Sequence, residues 1–147
     1  MSYNVSVQIK KTRCNVFNLG DKLSKERASN MNGVVLAFIG DAVYSLYVRE
    51  KLAFFSDAKA GELNRLATER VRAGAQANFA EKLLSVFTEE ELAVYKRARN
   101  SKKGTKAKSS TVAEYNMSTG LEAVFGYLYV TGELERLNEL LNYEDTL

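Results

Sequence analysis

The sequence predicts one all-α domain, and three observations lead to that prediction. The 147 residues include no proline, so no residue type in the chain rules out long helices. Apolar side chains recur every three or four residues along most of the chain, which is the period of one helix face. Strand-like alternation is scarce and is clearest only at residues 4–10. A hydrophobic content of 46% is enough to form a core in a domain of this length.

The N-terminal segment has the weakest structural pattern. We assign residues 1–30 to an arm or leader, possibly disordered, and residues 31–147 to the folded domain. Ser29 or Asn30 is a candidate N-cap for the first helix of the domain, which should end near Leu52. Its apolar positions follow the helical period: Val35, Phe38, Ile39, Ala42, Val43, Leu46 and Tyr47.

The remaining elements are also predicted to be helices. One helix begins after Asp57, and the pattern that follows it has a possible break at Gly74. Thr88, with Glu91 three residues later, forms the capping-box signature of a helix start. A Ser/Lys/Gly-rich loop over residues 100–111 precedes a strongly apolar helix, for which Gly132 is a suitable C-cap. An amphipathic helix follows it.

Composition excludes several kinds of chemistry. The chain has no histidine, so histidine general bases and Ser-His or Cys-His catalysis are absent. Cys14 is the single cysteine, which excludes an internal disulfide and cysteine-rich metal sites. Any metal site would therefore use oxygen ligands, which suit Mg²⁺, Mn²⁺ or Ca²⁺. We see neither a signal-peptide pattern nor a membrane span, and we expect a cytoplasmic protein.

Two carboxylates lie within the most apolar helices. Asp41 is the only acid between Asn32 and Val48, and Glu122 stands among apolar neighbours. No basic residue lies three or four positions from either, so neither has an ion-pair partner within its own helix. Both acids could hold one divalent cation, or they could lie at a wet edge or pair with a distant cation. Gly40 and Gly126 indicate close helix packing or room for a cation or phosphate.

A basic segment precedes the second apolar helix. Residues 96–108 contain seven basic residues and no acid, which suits a polyanionic partner. The candidates for contact with such a partner are Arg97, Arg99, Asn100, Lys102, Lys103, Lys106 and Lys108. A solvated loop with no ligand is the alternative. Arg49 and Arg72 could extend the same surface or be ordinary exposed charges.

The two acidic motifs resemble a known family. "LAFIGDAV" at residues 36–43 is similar to the signature of the ribonuclease III family, and "LEAVFG" at residues 121–126 is similar to its second catalytic motif. The resemblance covers roughly residues 32–141 and is closest to the Mini-ribonuclease III group, the short bacterial form without a double-stranded-RNA-binding domain. It implies a helical bundle like the ribonuclease III endonuclease domain.

The resemblance also implies an activity. Asp41 and Glu122 match the catalytic acids that hold Mg²⁺, for which Mn²⁺ can substitute. The family cuts double-stranded RNA as a homodimer, and the implied substrate is precursor 23S ribosomal RNA. With such a substrate, the candidates in the basic segment would bind RNA phosphates and 2′-hydroxyls. Five aromatic residues could form a dimer interface or fill the monomer core: Tyr44, Tyr47, Phe125, Tyr127 and Tyr129.

Further acids of ordinary ribonuclease III are missing here, and Thr119 stands where one of them would be. Thr119 and Gln76 are possible supporting residues, although the first could simply pack within its helix and the second could lie on a helix surface. The alternative function is that of a non-catalytic RNA-binding protein associated with ribosomes.

Overall fold

The protein folds as an all-α bundle, as the sequence predicted. The structure is a computed structural model, and it describes residues 21–103 and 110–143. Seven helices lie within these ranges: α1 Lys25–Ser29, α2 Gly33–Phe55, α3 Ala60–Val71, α4 Ala73–Leu83, α5 Glu89–Arg99, α6 Val112–Val130 and α7 Leu134–Leu141. In the described ranges, no helix is both long and apolar enough to cross a membrane.

The central pair of helices is α2 and α6, and two glycines set their distance. A Cβ atom at Gly40 would overlap the backbone carbonyl of Glu122, and one at Gly126 would overlap the carbonyl of Leu36. Only glycine allows the two backbones to come this close. The glycines therefore serve helix packing. The backbone of the partner helix fills the space that a cation or phosphate would need.

An aromatic cluster fills the core beside this helix pair. The rings of Tyr44 and Phe125 lie 5.5 Å apart, and Phe79 from α4 lies 6.0 Å from Tyr44 and 6.2 Å from Phe125. All three residues are buried, as is Tyr127. The sequence left open whether these aromatic residues form a dimer interface or fill the monomer core. The core is correct for Tyr44, Phe125 and Tyr127.

Local signals placed several helix ends correctly. The Thr88 hydroxyl accepts from the Glu91 amide, and the Glu91 carboxylate accepts from the Thr88 amide, which completes the predicted capping box of α5. Gly132 follows the end of α6 with a φ of 77°, a conformation that favours glycine. The α2 N-cap is Asn32 rather than Ser29 or Asn30, because the Asn32 side chain accepts from the amides of Val34 and Val35.

Two other regions differ from the sequence prediction. The chain turns at Arg72, whose ψ of 154° separates α3 from α4, and Gly74 lies inside α4 instead of breaking it. Helix α1, capped by Ser24 and carrying the buried Ala28, lies within the segment assigned to the arm. Residues 1–20 of that arm, including Cys14, lie outside the described residues.

Candidate active site

Asp41 and Glu122 face the same cleft, as the metal-site hypothesis requires. The cleft has a volume of about 350 Å³ and is lined by α2, the α3–α4 junction and α6. Its lining includes Asp41, Gln76, Tyr115, Ser118, Thr119 and Glu122, with Val34, Ala37 and Phe38 on the apolar side. A larger depression of about 750 Å³ lies along α7, and none of the predicted site residues lines it.

The close packing of α2 on α6 brings the two acids together. Gly40 lies against the backbone carbonyl of Glu122, so the next residue of α2, Asp41, is held beside the Glu122 side chain. The Asp41 residue is exposed to solvent, whereas Glu122 is largely enclosed. The two side chains are within hydrogen-bonding reach of each other. One acid therefore stands at the cleft surface and the other forms its floor.

The environment of Glu122 strongly favours its neutral form. Burial, followed by the hydrogen bond and negative charge of Asp41, raises the pKa of Glu122 to about 8, while a hydrogen bond from Gln76 acts in the opposite direction. No basic side chain is among the groups that shift this pKa. The Glu122 carboxyl consequently keeps its proton near pH 7 when no cation is bound.

Gln76 enters the site from α4. It is only 2% exposed, and its Nε2 donates to the Glu122 Oε2 at 3.2 Å and to the Val71 carbonyl at 2.8 Å. Its Oε1 is buried without a hydrogen-bond partner among the described atoms. Gln76 is therefore not a helix-surface amide, and its direction could not be predicted, because the spacing of one glutamine on a helix does not show which way the side chain faces.

Thr119 lines the cleft but is already satisfied within α6. Its hydroxyl donates to the Tyr115 carbonyl at 2.9 Å, and the neighbouring Ser118 hydroxyl donates to the same carbonyl at 2.8 Å. The hydroxyl oxygens keep their acceptor capacity towards the cleft. Across the described part of the chain, no third acid joins the pair to form a cluster of three potential metal ligands.

The basic segment begins beside the cleft. Ala98 of α5 packs against Gly33, which directly precedes the cleft residue Val34. Lys102 is exposed. Lys106 and Lys108 lie outside the described residues, so their predicted contact with RNA stays a prediction.

Several of the other predicted RNA-binding side chains have structural partners. Arg97 donates to the carbonyls of Ser29 at 2.7 Å and Met31 at 2.9 Å, which ties α5 to the end of α1. Lys103 donates to the carbonyls of Arg99 at 2.9 Å and Ser101 at 2.7 Å, and burial lowers the pKa of its ammonium group. Arg99 donates to Asn100 at 3.2 Å and lies over the Tyr95 ring.

The two remaining candidates for RNA contact are Arg72 and Arg49. Arg72 follows Val71 at the α3–α4 junction and forms an ion pair of 3.6 Å with Glu69. Arg49 lies two turns beyond Asp41 on α2 and lines a separate depression with Leu52 and Leu63. Neither guanidinium lines the cleft that holds the carboxylates.

Comparison with protein families assigns the chain to a class of enzyme. A family model for the ribonuclease III domain matches residues 34–133, a range that includes both acids. The chain belongs to the ribonuclease III family, whose members are endoribonucleases that act on double-stranded RNA.

Individual relatives narrow this assignment. A Mini-ribonuclease 3 from Enterococcus faecalis is 44% identical over 115 residues, which cover 77% of this chain and 87% of the relative. One from Streptococcus pneumoniae is 48% identical over 115 residues, covering 77% and 90%. A crystal structure of a protein from Fusobacterium nucleatum has a TM-score of 0.75 at 31% identity and covers 84% of this chain and 98% of that one. The predicted resemblance to the Mini-ribonuclease III group is confirmed.

Proposed function

We propose that this endoribonuclease hydrolyses double-stranded RNA with Mg²⁺ held by Asp41 and Glu122, and that its substrate is precursor 23S ribosomal RNA. The observation that carries the metal site is the meeting of two carboxylates from distant parts of the chain in one open cleft. Structural carboxylates are ordinarily paired with a base. No basic group affects the pKa of Glu122, so in this proposal the cation takes the place of the proton that Glu122 carries without it.

The donor set fits a hard divalent cation. Two carboxylates, the hydroxyls of Ser118 and Thr119 and the orphaned amide oxygen of Gln76 line the cleft or its wall, and all present oxygen. Mg²⁺ prefers oxygen ligands and usually keeps several waters when only one or two carboxylates bind it. Mn²⁺ accepts similar oxygen ligands and is expected to substitute. A second ion, if used, would arrive largely with the phosphates of the RNA.

The two acids have different tasks in this proposal. When bound, the cation would activate a water and neutralise charge on the scissile phosphate and the leaving oxygen. Glu122, enclosed and fixed by Gln76, holds its carboxylate in place at the cleft floor. Asp41, exposed at the cleft surface, can orient the attacking water as well as act as a ligand. No side-chain base with a pKa near 7 is required, which agrees with the absence of histidine.

We place the RNA along the basic segment beside the cleft. A-form RNA presents phosphates and 2′-hydroxyls across a wide, shallow minor groove. The exposed Lys102 and the polar Asn100 follow the end of α5, where Ala98 packs against Gly33, the residue before Val34 of the cleft. Arg97, Arg99 and Lys103 have structural partners, and their contribution to RNA contact is through their remaining donors and their positive charge.

We also propose a homodimer, so that two sites cut opposite strands. One exposed stripe of α2 carries Val35, Phe38, Ala42 and Leu46 at helical spacing, and Phe38 is 79% exposed. Large exposed apolar side chains in a row are unfavourable in water and typical of an interface. Because Phe38 also lines the cleft, a second copy on this stripe would stand beside the active site. Precursor ribosomal RNA as substrate places the protein in the cytoplasm.

Cleavage of a defined duplex tests the site directly. Wild-type protein and Asp41→Asn are each incubated with a double-stranded RNA from the ends of a 23S precursor, with and without Mg²⁺. We expect Mg²⁺-dependent cleavage by the wild type and a loss of at least about 1,000-fold in kcat for the variant, since a metal ligand that activates water is removed. RNA affinity should change little. Equal cleavage by both proteins would refute the site, and binding without cleavage by both would indicate a non-catalytic RNA-binding protein.

A further inference from the structure

We propose that Gln76 is a positioning residue whose amide nitrogen orients Glu122 and whose carbonyl oxygen accepts a hydrogen bond from a water carried by the divalent cation. This inference rests on the proposed function, because it requires a cation between Asp41 and Glu122. It gives a role to a residue that is neither an acid nor part of the two acidic motifs.

The hydrogen bonds of the Gln76 amide fix its orientation. Its Nε2 donates at 2.8 Å to the Val71 carbonyl and at 3.2 Å to the Glu122 Oε2. Turning the amide by 180° would place its oxygen against the Val71 carbonyl, so that two acceptors would face each other. The Val71 carbonyl has no proton to donate, and the observed orientation is therefore the favourable one.

This orientation leaves the Gln76 oxygen as an acceptor in need of a donor. The residue is 2% exposed, and Oε1 has no hydrogen-bond partner among the described atoms. A buried polar atom left without a hydrogen bond is unfavourable, because it has lost its contacts with water and gained none in return. The nearby hydroxyls of Ser118 and Thr119 do not meet this need, because both donate to the Tyr115 carbonyl.

Water in the shell of the cation is the donor that fits. A cation held by only two carboxylates keeps most of its ligands as water, and these waters are strong hydrogen-bond donors. Some side chains bind the ligands and waters of a metal ion. Removing one of them commonly weakens the protein's affinity for the metal by 10- to 100-fold. Gln76 contacts one proposed ligand directly and lines the same cleft as both, so it occupies such a position.

Mn²⁺ binding to the full chain without RNA tests this role independently of activity. Free Mn²⁺ is followed by electron paramagnetic resonance during titration of wild type and of Gln76→Met, which keeps the side-chain length and removes the donor and the acceptor. We expect Mn²⁺ to bind 10- to 100-fold more weakly to the variant. The Mg²⁺ concentration for half-maximal RNA cleavage should rise by a similar factor, and kcat should largely recover at saturating Mg²⁺.

Thr131→Val is the matched control. Thr131 is also buried, and its hydroxyl donates to the Tyr127 carbonyl at 2.7 Å. It lies nine residues beyond Glu122 on the same helix axis, roughly 13 Å along α6. This variant should alter the melting temperature but leave Mn²⁺ affinity unchanged. If Gln76→Met lowers the folded fraction, Gln76→Asn, which keeps the amide and withdraws it by one methylene, is measured instead and should weaken Mn²⁺ binding at least 3-fold.

The possible results separate the two proposals. A Gln76 variant that folds and binds Mn²⁺ within 2-fold of wild type would overturn the role of Gln76 while the metal site stands. An equal loss of affinity in Thr131→Val would show a general structural effect and would also overturn it. Wild-type protein that neither binds Mn²⁺ nor cleaves RNA would overturn the proposed metal-dependent function and this inference with it.

Discussion

Replacing Glu122 by glutamine should stabilise the cation-free protein at alkaline pH while abolishing its activity. Burial and the neighbouring Asp41 raise the pKa of Glu122 to about 8 from its usual value of 4.5. Glutamine keeps the shape, can still accept from Gln76 and can donate to Asp41, but it has no proton to lose. The variant therefore removes the unfavourable ionisation and leaves the local hydrogen bonds possible.

The sign and size of the effect follow from linkage. Between pH 4.5 and about 8 the folded protein keeps a proton on Glu122 that the unfolded chain releases, so wild-type stability falls as pH rises through this range. Each pH unit is worth about 1.4 kcal/mol per proton. An upper limit of about 5 kcal/mol follows for the full range, and partial exposure of the residue makes about 2–4 kcal/mol the expected gain for Glu122→Gln at pH 8–9.

Urea unfolding with a chelator, measured from pH 5 to pH 9 for both proteins, tests the prediction. The stability difference should be near zero at pH 5, grow towards pH 8 and then level off. Adding millimolar Mg²⁺ at pH 8 should stabilise wild type and not the variant, because a ligand that binds only the folded state raises its stability. A stability difference that is constant with pH would refute the raised pKa of Glu122.

Three further predictions concern the helix packing, a buried ion pair and the RNA surface. Gly126→Ala should cost about 3 kcal/mol or more in urea unfolding, since its Cβ would overlap the Leu36 carbonyl, whereas Gly61→Ala, with nothing within 4 Å, should be neutral or stabilising. Arg136→Met should lower the melting temperature by about 10 °C, because it leaves the buried Glu91 carboxylate without the guanidinium that donates to both its oxygens; a change below 2 °C would contradict this. Lys102→Ala should weaken duplex RNA binding and reduce the slope of log affinity against log salt by about 0.9 if it contacts one phosphate; an unchanged slope would remove it from the RNA surface.

Local chemistry made much of the fold predictable from the sequence. The capping box at Thr88 and Glu91 acts within four residues, and it is present as predicted. Gly132 likewise adopts the left-handed conformation expected after a helix end. The turn at Arg72 was missed because nothing at that position distinguishes it from a helical residue, and Gly74, the more obvious breaker, continues α4.

The site was predictable only in part. The two acids stood out because each lacked a basic neighbour, and the family resemblance supplied their common role. The partner of Gln76 could not be read from the sequence, since its contact with Glu122 spans 46 positions and depends on how α4 packs on α6. The contacts of Arg97 were equally hidden, because a charge in a basic run can also donate to backbone carbonyls, here those of Ser29 and Met31.

The arrangement of the site explains why a carboxylate occurs in the middle of a core helix. Asp41 and Glu122 repel each other when both are ionised, so their own interaction cannot be what brings them together. The contact of Gly40 with the Glu122 backbone does so, and the aromatic core behind it contributes the stabilisation that the acid pair lacks. In the proposed function, a cation bound between the two acids would remove the repulsion that the packing imposes on them when both are ionised. The glycines that look like plain packing residues are thus as necessary to the proposed chemistry as the acids themselves.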